Sequence, residues 1–247
     1  IAQTMSTRTI PAVETAISVS RSQENWASKI RFSHNSDSLK EAAGQAAALN
    51  ASQAFWVDAL CVPSEDPART ICLQSMGETF SSAHQVLVVL REQCLDAIQK
   101  TSQNGILVSS DLGLLEKEDW VSRAWTYQEA VNSKRLYFTV EDNEDAIVSG
   151  HDFLNAIMVA IDAFKEAKNL DKLAWEKQRP KLRSLERLLA DYLISDFATR
   201  SAYQVMSVMD QRISERADDH FYAMIGSITT ASEQFEGDEK LDPSEYF

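Results

Sequence analysis

VLVVL, residues Val86–Leu90, is apolar on both of the faces that a strand presents. A strand of that kind has to be covered above and below, which places it in the middle of a parallel sheet. Upstream, Ala54–Val62 (AFWVDALCV) is a second compact apolar run, halted by Pro63, and reads as another buried parallel strand. Between the two, Ala68–Ser82 is helix-compatible, with Ile71, Leu73, Met76 and Phe80 roughly on one side. Further back, Thr15–Ser20 (TAISVS) makes a short strand. Asp37–Asn50 (DSLKEAAGQAAALN) makes an Ala-rich helix with Asp37 as its N-cap. Downstream, Gly105–Ser109 is read as a further short strand, Asp119–Val131 as one helix and Arg135–Val140 (RLYFTV) as a strand.

Strands that alternate with helices call for an α/β layer structure with a mainly parallel sheet flanked by helices. The second half changes character. Phe153–Lys168, Leu182–Ile194 and Tyr203–Arg212 carry helical spacing of apolar residues, and no segment there has a strand pattern. The chain therefore divides into an α/β half (1–150), an α-helical C-terminal extension packed on it (151–231) and an acidic tail (232–247). That tail, SEQFEGDEKLDPSEYF, carries six acidic residues against one Lys. The start at Ile1 and the acidic end are expected to reflect trimming of a longer chain.

Composition removes several classes of function. The 247 residues are 44% hydrophobic, enough for a sizeable core and too apolar for a disordered chain. Asp and Glu outnumber Lys and Arg by 37 to 24, which argues against binding a phosphate backbone, so nucleic acid is not an expected partner. Only seven glycines occur, and neither GxGxxG nor GxxxxGK[ST] is present, so a glycine-loop nucleotide site is excluded. Cys61, Cys72 and Cys94 show no CxxC spacing, and the four histidines (His34, His84, His151, His220) are scattered. This is cytoplasmic cysteine usage, with no metal motif and no resident cofactor expected. The longest apolar runs fall short of a membrane span, and IAQTMSTRTIPAV does not read as a signal peptide.

Three segments, in order, resemble the fungal heterokaryon-incompatibility (HET) domain family. Trp56–Val62 (WVDALCV) is close to the family's WIDALCI block, and Met76, Phe80, Ala83 and Val86–Leu90 follow at the family's spacing. Arg123–Glu129 (RAWTYQE) is similar to the family's R-x-W-x-x-Q-E, and Asp219–Gly226 (DHFYAMIG) to its D-K-x-Y-A-L-L-G. There are departures. The family's opening Y-x-A-L-S-Y-x-W-G has only an echo in Ala16–Ser20 and Trp26, Pro63-Ser64 stand where it has Asn-Gln, and Ala217-Asp218 where it has Pro-Arg.

HET domains in turn resemble TIR domains, which implies a TIR-like (flavodoxin-like) sheet. Many TIR domains cleave NAD⁺ with a glutamate in a W-x-x-x-E helix, a spacing that Trp125 and Glu129 share. The resemblance thus implies a cytoplasmic protein of self/non-self recognition and programmed cell death, a form of fungal innate immunity. It also implies an NAD⁺ hydrolase that releases nicotinamide and an ADP-ribose product, with NAD⁺ as substrate, Glu129 as catalytic carboxylate and self-association expected. The alternative is a non-catalytic interaction module with a vestigial pocket.

The chemistry is self-consistent. Residues i and i+4 share a helix face, so Trp125 and Glu129 lie a turn apart. Nicotinamide leaves neutral from a cationic pyridinium and needs no general acid, unlike an ordinary glycoside. One carboxylate then suffices to stabilise an oxocarbenium-like ribosyl centre or to orient water. Trp125 or Tyr127 could stack on a base or on the pyridinium. Arg123 could hold a phosphate, or pair with Asp119 four residues earlier. Asp58 interrupts an apolar run and demands a partner or a cavity. Ser18 and Ser20, near the end of the first strand, could bind a ribose or phosphate, or merely close a turn. For Glu129 the plain alternative is a solvated or paired helical glutamate, and for Trp125 a core anchor.

Overall fold

The computed structural model describes residues 15–19, 55–141, 143–194, 201–214 and 216–228. Five strands, β1 (Thr15–Val19), β2 (Phe55–Val57), β3 (Gln85–Leu90), β4 (Leu136–Val140) and β5 (Asn143–Ser149), form one mixed sheet. Their order is β2-β1-β3-β4-β5. The first four are parallel, with Ala16 opposite Trp56, Ile17 opposite Leu87 and Val88 opposite Phe138. β5 returns antiparallel to β4, with a shift of register between Phe138 and Val140. β3 sits in the middle and all six of its residues are buried, so both of its faces are covered, as the unbroken apolar run requires.

The helices are, in order, α1 (Asp58–Cys61), α2 (Ala68–Gln74), α3 (Met76–Ser82), α4 (Leu95–Asn104), α5 (Ser109–Leu115), α6 (Asp119–Ser122) and α7 (Trp125–Val131). After the sheet come α8 (Gly150–Lys168), α9 (Lys172–Gln178), α10 (Pro180–Ile194), α11 (Ala202–Met209) and α12 (Ala217–Ile228). α4 and α8 lie against β4 and β5, whereas α7 packs among α3, α10 and α12. One hydrophobic core runs through both halves, from Phe80 and Ile98 through Trp120 and Phe138 to Phe153, Trp175 and Leu188. Phe138 links its layers, with its ring centroid 5.1 Å from Trp120 and 4.9 Å from Phe153.

Four of the expected elements differ from the sequence reading, three for a local reason and one through a distant segment. The run Ala54–Val62 is a strand only to Val57, and Asp58 then opens α1, whose turn closes with Val62 N donating to Asp58 O at 3.0 Å. The helix expected over Ala68–Ser82 divides at Ser75, whose hydroxyl bonds back to the Ile71 and Cys72 carbonyls at 3.1 and 3.0 Å. Ile71 consequently faces outward, 55% exposed. Gly105–Ser109 is no strand. Gly105, at φ 68°, ends α4, the Asn104 side chain accepts from Ile106 N, and Asp111 accepts from Val108 N to open α5.

The helix expected over Asp119–Val131 splits into α6 and α7. There Ser122 O accepts from Ile213 N at 2.8 Å and Ala124 N donates to Ile213 O at 2.9 Å, so the backbone is diverted into a short bridge. β5, unannounced by its acid-rich sequence, is an edge strand of the described sheet, where charges are tolerated. α8, α10 and α11 fall where the helical spacing placed them, while α9 and α12 are additional. The helix expected over 37–50, Trp26, Ser20 and the tail 232–247 lie outside the described residues.

Candidate functional site

The RAWTYQE segment carries buried polar chemistry. Every residue of α7 is buried, including Thr126, Gln128 and Glu129, and a buried polar group is costly without a partner. Thr126 Oγ1 lies 2.6 Å from Trp120 O and 2.7 Å from Arg123 O, and its one proton serves either carbonyl. The same hydroxyl accepts from Arg212 Nη1 at 2.9 Å, and Arg212 Nη1 also donates to Arg123 O at 2.8 Å. The Arg212 guanidinium lies over the Tyr127 ring, 5.6 Å from its centroid. Tyr127 donates its hydroxyl to Asp191 Oδ2 at 2.7 Å, and Gln204 Nε2 donates to Asp191 Oδ1 at 2.6 Å.

Glu129 is 4% exposed and follows Thr126 by three residues, so the two are neighbours on the helix surface. Arg212, 5% exposed, is brought down to about 10 by burial, against the opposing fields of Tyr127, Glu129 and Asp191. Among the described residues its buried Nε and Nη2 have no hydrogen-bond partner. Among the described residues the Gln128 amide is likewise unpartnered at both of its atoms, and it packs on Gly226 of the DHFYAMIG block. Asn132 Nδ2 donates to Gly226 O at 2.8 Å. Gly226 in turn meets Gly77 so closely that a Cβ on Gly77 would run into the Gly226 carbonyl.

The RAWTYQE and DHFYAMIG blocks therefore meet, through Gln128 against Gly226, while the first block makes contacts of its own. Trp56 of WVDALCV sets its edge against Phe80, with ring centroids 5.5 Å apart. Asp219 pairs with Arg69 at 3.0 Å, tying α12 to α2 across 150 residues of chain. Trp125 and Tyr127 are core residues, and Arg123 is half-buried at the α6–α7 break. Asp119, the partner expected for Arg123, accepts from Arg91 Nη2 at 2.5 Å. Asp58 is half-buried at the start of α1. Ser18 is in β1, opposite Val88. Among the described residues the structure brings together Arg123, Trp125, Tyr127 and Glu129 on one short helix and its approach.

Sequence reasoning missed Arg212, Asp191 and Gln204, which supply this network from α10, α11 and the turn after α11. None belongs to a motif; the one available signal was a charged residue, Arg212, close behind the apolar face of α11. At the carboxyl end of β3 another buried acid, Glu118, accepts from Gln93 Nε2 at 2.9 Å and from the Cys94 thiol at 3.6 Å. Burial and this carboxylate push the Cys94 thiol up, making it an inert core thiol.

Residues 7–111 match the model of the heterokaryon incompatibility protein family (HET). The resemblance read from WVDALCV is borne out over that segment, which spans β1 to the start of α5. The HET match stops before RAWTYQE and DHFYAMIG. No curated protein and no solved structure matches the chain. Among the described residues no three His, Cys, Asp or Glu side chains cluster as a metal site, and no helix is long and apolar enough to cross a membrane.

Proposed function

We propose that this HET domain acts in self/non-self recognition and cell death as an NAD⁺ hydrolase, with Glu129 as its carboxylate and a TIR-like sheet as its scaffold. The observation that carries the reading is the enclosure of Glu129, in W-x-x-x-E spacing, within the field of a buried guanidinium. The strand order β2-β1-β3-β4-β5 supports the scaffold, since it is the doubly wound flavodoxin order with its last strand reversed. In the proposed reaction the C1′–nitrogen bond breaks and nicotinamide leaves with the bonding pair. A water oxygen bonds to C1′ and its proton passes to solvent, giving ADP-ribose. Away from bulk water, the Glu129 carboxylate stabilises the positive ribosyl centre more strongly than it would at a surface.

The test is nicotinamide release from NAD⁺ by the purified chain beside Glu129→Ala. Release by the wild type alone, with both proteins folded, supports the assignment; equal release by the two overturns it.

The second reading, a non-catalytic self-association module, is favoured by one observation: Trp125 and Tyr127 are core residues, with Tyr127 spent on Asp191. A chain that assembles with rising concentration in light scattering and yet releases no nicotinamide would establish that reading in place of the first.

A further inference from the structure

The Glu129 helix does not hold its own entry. α7 is seven residues long and its N-cap position, Ala124, has no side-chain cap, so a short helix of this kind needs an outside grip. Such a grip comes from 89 residues along the chain. Ile213 takes up Ser122 O and Ala124 N, and its neighbour Arg212 takes up Arg123 O and the Thr126 hydroxyl with Nη1. Arg212 is itself seated on the Tyr127 ring and 5% exposed, and two of its buried nitrogens have no partner among the described residues. A guanidinium desolvated to this degree, with donors to spare, is an expensive way to secure a helix, since an apolar contact would stabilise it at lower cost. Thr126 and Glu129 are one turn apart, so whatever fixes the first fixes the helix position of the second.

We propose that Arg212 is a positioning residue for Glu129: from the helical half it clamps the entry of α7 through Arg123 O and Thr126 Oγ1 and so sets where the carboxylate sits. The inference rests on the NAD⁺-hydrolase reading. It differs from a purely structural role because it assigns Arg212 an effect on turnover rather than on substrate affinity. A Lys at this position retains the charge and one or two of the bonds but lacks the planar fork, so it should restore function only in part.

The experiment compares nicotinamide release by the full chain as wild type, Arg212→Gln, Arg212→Lys and Arg183→Gln. Arg183 belongs to a separate ion network with Glu176 and Glu186 and serves as the control for lost stability. The expected result is a kcat at least tenfold lower in Arg212→Gln with KM changed less than threefold. Arg212→Lys should recover part of that loss, and Arg183→Gln should match wild type in kcat. Hydrogen exchange at residues 123–131 should be faster in Arg212→Gln than in Arg183→Gln when compared at equal distance below their melting temperatures. A kcat in Arg212→Gln equal to that of a turning-over wild type overturns the positioning role and leaves the hydrolase reading intact. A wild type without turnover overturns both.

Discussion

Tyr127 shows how much of the RAWTYQE helix is committed to internal partners. Its ring underlies Arg212 and its hydroxyl donates to Asp191, both inside the protein. Tyr127→Phe removes the donor and leaves one Asp191 oxygen short of a bond, which should cost about 1–3 kcal/mol in a urea titration, with little change in slope. Glu129→Gln retains the shape and removes the charge. It should lower nicotinamide release about 100-fold or more if the carboxylate stabilises the ribosyl centre, with the far-ultraviolet spectrum unchanged. Glu186 gives a pH prediction. Burial pushes its carboxyl up, but bonds from Lys165, Arg183 and Trp175 outweigh that and hold it below its ordinary 4.5. A carboxylate lowered by folding contributes stability that is complete above the unfolded value and lost as pH falls through the folded one. Thermal stability should therefore drop as the pH is lowered below about 4.5, and Glu186→Gln should flatten that part of the curve.

At the scale of elements, the crossing of α3 and α12 depends on two glycines in contact. A Cβ on Gly77 would strike the backbone of Gly226, which cannot move aside, whereas a Cβ on Gly226 would first meet the Gln128 side chain. Gly77→Ala should therefore cost about 2–3 kcal/mol in denaturant unfolding and Gly226→Ala less. VLVVL read correctly as a central strand because its burial on both faces is written in five adjacent residues. The break between α6 and α7 could not be read, because the backbone that interrupts the helix belongs to Ile213. The turn of α1 hides inside an apolar run, and the Gly105–Ser109 segment lost its strand to caps from Asn104 and Asp111. That Glu129 lies on a helix was legible from the sequence. Arg212, Asp191 and Gln204 were not, since they reach the site only through the packing of α10 and α11 onto α7.

At the scale of the whole molecule, the helical half completes the α/β half rather than decorating it. α7 is covered by α10 and α12, Arg179 pairs with Glu116 at 3.0 Å, and Arg69 pairs with Asp219 at 3.0 Å. A chain ending at residue 149 would expose the Trp125, Tyr127 and Val131 side chains to water, and it should show no cooperative thermal transition by circular dichroism. If that fragment melts cooperatively, the shared core is not what holds α7. The proposed site belongs to the same scale, because Glu129 comes from the first half and Arg212, Asp191 and Gln204 from the second. The most direct measurement is nicotinamide release per chain over a concentration series, for wild type and Glu129→Gln together. The account predicts release by the wild type that rises with self-association and stays about 100-fold or more lower in the variant at every concentration. Full release by Glu129→Gln, or none by the wild type at any concentration, would contradict it.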